Sequence, residues 1–108
     1  MTPFEKNVYA VVRRIPKGKV LTYQSVAHSM GRVRAGRAVG NALNKNNSPL
    51  VPCHRVIKGD GSVGGFNGGT SRKMVLLEKE GIKISKGRIE LSTYLHRGGE
   101  EPRTKFRK

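Results

Sequence analysis

Apolar residues near the start of the chain recur at helical spacing. They are Phe4, Val8, Val11, Val12 and Ile15. Residues three or four positions apart lie on one face of an α-helix, so this stripe indicates an amphipathic helix with one buried face. Thr2 and Pro3 are favoured residues for a helix start, and the sequence PKGK disfavours its continuation. The pattern predicts a helix over Phe4–Ile15.

A second, shorter apolar group follows a good capping residue. Thr22 can offer its side-chain oxygen to the first turn of a helix, and Gly31 is a favoured residue just after a helix end. The apolar residues between them are Val26, Ala27 and Met30. We therefore predict a short helix that begins after Thr22 and ends before Gly31.

The segment Ala35–Asn44 predicts a third helix, in which Val39 and Leu43 form the buried stripe. The rest of this helix is rich in alanine and glycine, although an interior glycine costs about 0.5–1 kcal/mol relative to alanine. Either the helix packs closely against a neighbour, or its bare face presses against a ligand while Arg37 projects from it. Two short helices joined by a tight turn also favour a helix-turn-helix motif.

Glycine dominates the segment Lys58–Gly69, where it occupies six of twelve positions. Such a segment predicts a loop or a tight hairpin whose backbone turns sharply or approaches another group closely. It does not end in Gly-Lys-Ser or Gly-Lys-Thr, so it is not a phosphate-binding Walker loop. We expect it to form a pocket wall made of backbone.

The last clear helical pattern covers Ser71–Glu80. Met74, Val75 and Leu77 are predicted to face inward, and Gly81 is a suitable stop. An alternating stretch, IKISKGRIEL, follows. The 108 residues have room for one domain, which we place at residues 1–96, with residues 97–108 as a basic flexible tail or linker.

Positive charge is the strongest global signal. The chain has 22 Lys and Arg against 7 Asp and Glu, a formal net charge of +15. Eleven basic residues and no acidic residue lie between Glu5 and Asp60, namely Lys6, Arg13, Arg14, Lys17, Lys19, Arg32, Arg34, Arg37, Lys45, Arg55 and Lys58. A surface with this charge attracts polyanions, above all nucleic acid. A generally basic protein without a nucleic-acid ligand is the alternative.

Cysteine and histidine usage excludes several classes. One cysteine cannot form an internal disulfide, which argues against a secreted, disulfide-stapled scaffold. The three histidines, His28, His54 and His96, show no metal-ligand spacing with it, so we expect no metal site. We see no leader-like segment and no apolar run of about 18 residues, so we expect an intracellular protein without a membrane span.

The single thiol lies in the sequence LVPCHRVI, directly beside a histidine. A cysteine that only fills the core needs no histidine next to it, whereas a reactive thiol needs a base and a nearby cation. Cys53 and His54 are therefore candidate catalytic residues. Taken singly, His54 fits a surface histidine better and Glu80 a solvated helix end, and only together with Cys53 do both favour a catalytic role.

Five motifs in order resemble the active-site domain of the O6-alkylguanine-DNA alkyltransferases. They are TYQSVA, GRAVGNAL, PCHRVI, GDGSVGGFNGG and LLEKEGI, and the resemblance covers most of Phe4–Ile84. It implies a mainly α fold, a small domain similar to a winged helix-turn-helix, with the glycine-rich loop or short hairpin after the cysteine. It also implies irreversible transfer of an alkyl group from O6-alkylguanine in double-stranded DNA to Cys53. His54 would be the base, acting through a water, and Glu80 would orient its imidazole.

The resemblance implies a DNA-handling role for further residues. Arg37 matches the intercalating arginine of the family, and Tyr23 matches the tyrosine that helps to extrude the damaged nucleotide. Base extrusion is physically required, because the thiol cannot reach a stacked base. The helix face with Ala35, Gly36 and Gly40 would press into the minor groove.

In the pocket, the backbone carbonyls of Cys53 and Val56 would bind the guanine amino group, and the backbone around Asn67 would meet O6. The Tyr23 hydroxyl would meet a ring nitrogen of the leaving guanine. Asn46 matches the asparagine that ties the helix-turn-helix to the active-site loop. Phe66 and Asn67 stand where the family commonly has Tyr and Ser.

The resemblance implies a monomer that uses no cofactor. Two other functions remain open. Short relatives called alkyltransferase-like proteins carry Trp or Ala in place of the cysteine, and they bind lesions without repairing them, so this chain could be a lesion sensor that flags damage for other repair proteins. A plain helix-turn-helix regulator explains the charge but not the PCHR sequence.

Overall fold

The computed structural model describes residues 1–46, 48–64 and 69–96. In these residues the helices are α1 (Pro3–Arg13), α2 (Tyr23–Ser29), α3 (Gly36–Asn44), α4 (Thr70–Lys79) and α5 (Leu91–Tyr94). Two short strands pair in parallel, β1 (Leu21–Thr22) and β2 (Val56–Ile57). A 3₁₀ turn, Cys53–Arg55, leads directly into β2. The fold is mainly helical, as the sequence predicts.

Helix α1 begins at a complete capping box. The Thr2 hydroxyl accepts a hydrogen bond from the Glu5 backbone at 3.1 Å, and the Glu5 carboxylate accepts one from the Thr2 backbone at 3.0 Å. These two bonds satisfy donors that a helix start otherwise leaves open. The predicted first helix is confirmed, but it ends at Arg13, and Ile15 is buried beyond its end.

The second and third predicted helices are also confirmed. The Thr22 hydroxyl accepts a hydrogen bond from the Ser25 backbone at 3.0 Å and so caps α2. Gly31 follows α2 with a positive φ of 74°, a conformation that glycine adopts without strain. In α3, Val39 and Leu43 are buried as expected.

Two hydrophobic clusters meet at the strand pair. The larger cluster joins α1, α2 and α3, and the smaller one contains Val20, Ile57, Val63, Leu77, Ile82 and Ile89. Successive strand residues point to opposite faces. Val56 therefore packs in the larger cluster and Ile57 in the smaller one. This anchorage holds the 3₁₀ turn, and with it Cys53, between the two clusters.

The inward face of α4 differs from the prediction at one position. Leu77 is fully buried and Met74 packs against the smaller cluster, but Val75 is 49% exposed, so its inward placement was wrong. Lys73 is buried instead, at 0% exposure. Residues four positions apart share a helix face, so Lys73 lies above Leu77, while Val75 points elsewhere.

The described part of the glycine-rich segment pairs with a later stretch of the chain. Ser62 forms an antiparallel bridge with Arg88, and the Ile89 backbone donates to the Gly61 carbonyl at 2.8 Å. A Cβ on Gly61 would lie 2.8 Å from the Ile89 carbonyl oxygen, and its φ is +89°, so this position requires glycine. Here the glycine admits a close backbone approach.

Some predictions fall on residues outside those described. Phe66 and Asn67 lie in the gap at residues 65–68, and the predicted tail at 97–108 lies beyond residue 96. Across the described residues, no helix combines the length and the apolar character that crossing a membrane requires.

Candidate functional site

Cys53 opens the 3₁₀ turn and lies on the wall of a surface pocket. The pocket has a volume of about 660 Å³, and Tyr23, Leu43, Pro52 and His54 line it together with the cysteine. The Cys53 backbone donates to the Val51 carbonyl at 2.8 Å, which tightens the chain before the turn. The thiol is half-buried and lies where a ligand in the pocket would meet it.

Asn46 connects the end of α3 to the cysteine. Its side-chain amide donates to Cys53 Sγ at 3.1 Å and to the Ser48 carbonyl at 3.1 Å, and its oxygen accepts from the Ser48 backbone at 3.1 Å. The thiol in turn lies 3.8 Å from the Leu43 carbonyl oxygen, its acceptor. Asn46 thus joins the residues after α3 to the segment that carries Cys53, while the role that the family resemblance implies for it stays a prediction.

His54 and Glu80, 26 positions apart in the chain, are in direct contact. His54 Nε2 lies 2.9 Å from Glu80 Oε2, and both side chains are largely buried. Arg55 binds the same carboxylate with two donors, from Nε to Oε1 at 2.9 Å and from Nη2 to Oε2 at 2.7 Å. Its Nη1 donates to the Ile15 carbonyl at 2.7 Å. The sequence analysis did not assign a site role to Arg55.

Burial sets the protonation of these groups. Burial raises the pKa of the Cys53 thiol, and the Asn46 hydrogen bond and the positive charge of Lys73 oppose the rise only in part. Burial would also raise the pKa of Glu80, but hydrogen bonds from Arg55 and His54 outweigh it and hold that pKa below its usual value. Glu80 is therefore an ionised acceptor, and the resting thiol is protonated at neutral pH.

Lys73 is a functional candidate that the sequence analysis missed. Its ammonium lies 5.7 Å from the centre of the Tyr23 ring, and its positive charge lowers the pKa of Cys53. Burial lowers the pKa of Lys73 to about 8, against a smaller opposing effect of Cys53. The helical spacing of Lys73 and Leu77 was the available signal, but a lysine in a basic chain is normally assumed to be exposed.

Tyr23 begins α2 and lines the pocket with Cys53. Burial, and then the nearby Cys53, raise the pKa of its hydroxyl, so the group remains a proton donor at neutral pH. Val56, predicted to bind the guanine through its carbonyl, lies in β2 directly after the turn. The two predicted pocket residues Phe66 and Asn67 are outside the described residues.

The glycines of α3 face α2. A Cβ on Gly36 would lie 3.2 Å from the Gln24 side chain, and one on Gly40 would lie 3.7 Å from the Tyr23 ring. Close helix packing, one of the two alternatives for this small-residue face, thus fits Gly36, whereas a Cβ on Gly40 would make only an ordinary van der Waals contact. Ala35 precedes α3 as its N-cap residue, and Arg37 is exposed on the first turn. The DNA-binding role of these residues remains a prediction.

Metal ligands are not clustered in the described part of the chain, where no three His, Cys, Asp or Glu side chains are grouped to hold an ion. The site is thus made of a thiol with its amide donor, an imidazole tied to a carboxylate, and two buried or half-buried cations. Such an arrangement can take a proton from a thiol and stabilise the resulting thiolate.

Comparison with known families identifies this class of domain. The family model for the 6-O-methylguanine DNA methyltransferase, DNA binding domain, matches residues 3–82. The chain belongs to this family.

Its relatives include longer DNA-repair proteins. A methylated-DNA–protein-cysteine methyltransferase of Saccharolobus islandicus is 51% identical over 83 residues, which are 76% of this chain and 53% of that protein. The bifunctional transcriptional activator/DNA repair enzyme Ada of Escherichia coli is 41% identical over 80 residues, 73% of this chain and 23% of Ada. The chain therefore spans about half or less of the length of these relatives.

Solved structures share the fold. S. pombe Atl1, in complex with damaged DNA containing O6-carboxymethylguanine, has a TM-score of 0.82 and 32% identity, covering 90% of this chain and 97% of Atl1. Mycobacterium tuberculosis OGT in complex with DNA has a TM-score of 0.70 and 41% identity, covering 75% of this chain and 50% of that protein.

Proposed function

We propose that this chain repairs double-stranded DNA by accepting the alkyl group of O6-alkylguanine on Cys53, once per molecule. The observation that carries the proposal is the thiol on the pocket wall, next in the chain to an imidazole that contacts a buried carboxylate. The relatives are named as methylated-DNA–protein-cysteine methyltransferase and DNA repair enzyme, and two solved neighbours hold DNA.

Activation of the thiol is the first step. Burial raises the pKa of Cys53, so a base must take its proton before it can attack. Ionised Glu80 only accepts hydrogen bonds, so His54 Nε2 carries the hydrogen that is shared with it. The other ring nitrogen, Nδ1, then has the free lone pair. It accepts the thiol proton, through a water as the family resemblance implies, and the Asn46 amide and Lys73 stabilise the thiolate.

Transfer of the alkyl group follows. The sulfur forms a bond to the alkyl carbon while the bond from that carbon to O6 breaks, and the electron pair stays with the guanine. Tyr23, kept protonated by burial, gives the leaving guanine a proton and recovers one from solvent. The product is a stable thioether, and Cys53 no longer carries a thiol that could react again. Each protein molecule therefore acts once.

Access to the lesion requires base flipping, because O6 lies on the edge of a stacked base. Exposed Arg37 on α3 fills the space that the extruded nucleotide leaves, and α3 lies in the minor groove. The basic residues bind phosphates, as the net charge of +15 favours. No cofactor takes part in this mechanism, and a monomer suffices for it.

A lesion sensor is the second candidate. It is favoured by the likeness to Atl1, whose TM-score of 0.82 is higher than the 0.70 of M. tuberculosis OGT. Cys53 supports transfer over sensing, because the alkyltransferase-like proteins carry Trp or Ala at this position.

Transfer of label tests the proposal directly. The protein is incubated with an excess of duplex DNA that carries a radiolabelled O6-methylguanine, and label on the protein is counted, with the Cys53→Ser variant as the matched control. We expect one methyl group per wild-type molecule, located on the peptide with Cys53. Tight lesion binding without any label on the protein would instead establish a sensor.

A further inference from the structure

Arg55, next to His54 in the chain, donates three side-chain hydrogen bonds. Its guanidinium binds both oxygens of Glu80, at 2.9 and 2.7 Å, and the carbonyl of Ile15 at 2.7 Å. The Arg55 and Glu80 side chains are only 17% and 12% exposed. A bidentate arginine–carboxylate pair of this kind fixes the plane and direction of the carboxylate and favours its ionised form.

Glu80 needs such a partner at its place in the fold. It is the C-cap residue of α4. The C-terminal end of a helix carries a partial negative charge, which disfavours a carboxylate there. Arg55 offsets this repulsion and holds Glu80 in the orientation in which Oε2 also meets His54 Nε2, at 2.9 Å.

We propose that Arg55 is a positioning residue, which fixes Glu80 and through it the orientation and tautomer of His54. The inference rests on the proposed function for its role in alkyl transfer, but the state of the imidazole is a separate property of the folded protein. Arg55 also binds the Ile15 carbonyl, just after the end of α1. The orientation of the His54 ring therefore depends on contacts with both α4 and the segment after α1. A lysine cannot replace it fully, because an ammonium lacks the planar fork.

The test combines nitrogen NMR of the imidazoles with the rate of transfer. We compare wild type with Arg55→Lys and Arg55→Gln, and use Arg88→Gln as the matched control, because Arg88 is an exposed arginine whose carboxylate partner, Asp60, lies 3.8 Å away. Glu80→Gln serves as the positive control for loss of the ionised acceptor. His28 and His96 are internal references in every spectrum.

In the neutral form of its imidazole, wild-type His54 should show one tautomer, with the proton on Nε2. Arg55→Gln should show a mixture of tautomers, and Arg55→Lys a smaller admixture. General-base catalysis contributes about 10²–10⁴-fold, so a misdirected base should slow methyl transfer about tenfold or more in Arg55→Gln, with partial recovery in Arg55→Lys. Lesion binding, measured in the Cys53→Ser background, should change no more than it does in Arg88→Gln.

Several results would overturn the inference. The first is a wild-type His54 without a fixed tautomer, and the second is a fixed tautomer that persists in folded Arg55→Gln. The third is methyl transfer by Arg55→Gln at a rate within about twofold of Arg88→Gln, because the inference expects a loss of about tenfold. If Arg55→Gln does not fold, the wild-type and Arg55→Lys spectra decide. If wild type transfers no methyl group, the proposed function fails, while the NMR comparison still tests the positioning role.

Discussion

The reactivity of Cys53 is set by neighbours that act in opposite directions. Burial raises the pKa of the thiol, whereas the Asn46 amide and the charge of Lys73 lower it. A thiol in this environment is protected as long as no base is correctly placed, which suits the single reaction that we propose. In the proposed mechanism, the same neighbours stabilise the thiolate when His54 removes the proton.

The first prediction concerns Cys53→Ser. A hydroxyl is far less acidic than a thiol, so transfer should be abolished, while lesion binding should stay within a few-fold because the pocket is unchanged. The measurements are label transfer and the Kd for lesion-containing duplex. Any label on the serine variant would contradict the role of Cys53.

The buried charge of Lys73 should lower the stability of the fold and raise the reactivity of Cys53. The variant Lys73→Met tests both effects. Methionine keeps most of the volume without the buried charge, so the variant should melt at a higher temperature at pH 7 but react more slowly, since the thiolate loses a cation. Because the folded-state pKa of Lys73, about 8, is below its ordinary 10.5, the unfolded chain holds this proton more tightly. The stability cost is therefore complete below pH 8 and disappears as the pH rises to about 10.5.

The matched control is Lys79→Met, which removes an exposed charge from the same helix. Melting temperatures of wild type and both variants are measured from pH 6 to 10.5. The gain from Lys73→Met should shrink above pH 8, and Lys79→Met should show no such trend. A pH-independent gain, or transfer at the wild-type rate, would show that Lys73 does not act through its charge.

Sequence reasoning found the residues whose chemistry is visible in the motif. Cys53 and His54 are adjacent, and family resemblance added Glu80, which the structure brings to 2.9 Å from His54. It missed Lys73 and Arg55 because basic side chains are numerous in this chain, and their burial depends on tertiary packing. Neither helical spacing nor charge alone separates these two cations from the solvent-exposed ones.

At the scale of secondary-structure elements, the residues that cap or terminate helices were the reliable signals for helix boundaries. Thr2, Thr22 and Gly31 mark helix boundaries in the sequence and in the structure alike, because each acts on the backbone beside it. The inward face of α4 was less predictable, since its orientation is decided by what packs against it. The pairing of Gly61 with Ile89 joins stretches 28 positions apart and has no local signature.

The third helix leads to a prediction for Arg37. Arg37→Ala should slow methyl transfer from duplex DNA about tenfold or more, because flipping a base costs a few kcal/mol that the arginine helps to offset. Reaction with free O6-benzylguanine needs no flipping and should be almost unchanged. Single-turnover rates on both substrates give the comparison.

Arg34→Ala is the control for this experiment, since Arg34 is an exposed arginine in the connection before α3. It removes one positive charge without altering the helix, so it should weaken DNA binding but discriminate little between the two substrates. Equal losses for Arg37→Ala on duplex DNA and on free base would assign Arg37 to the pocket or the fold rather than to flipping.

For the whole molecule, the two hydrophobic clusters and the site depend on each other. Cys53 packs against the larger cluster, while Glu80 directly follows α4, whose Leu77 belongs to the smaller cluster. The contacts from His54 and Arg55 to Glu80 therefore join the two halves of the core. A chemical change at Cys53 should therefore alter the free energy of unfolding of the entire domain.

We accordingly expect the alkylated protein to be less stable than the free protein. Methylation removes the thiol hydrogen that faces the Leu43 carbonyl and weakens the sulfur as the acceptor for Asn46. An added methyl group in a packed site typically costs about 1–3 kcal/mol. For a domain of about 100 residues, each kcal/mol corresponds to roughly 4–8 °C in Tm. Thermal melting of free and Cys53-methylated protein, at equal salt and without DNA, measures the difference, with Cys53→Ser exposed to the same lesion DNA as the control. An unchanged or higher Tm would mean that the pocket takes up the methyl group without strain and that Cys53 does not connect the site to the core.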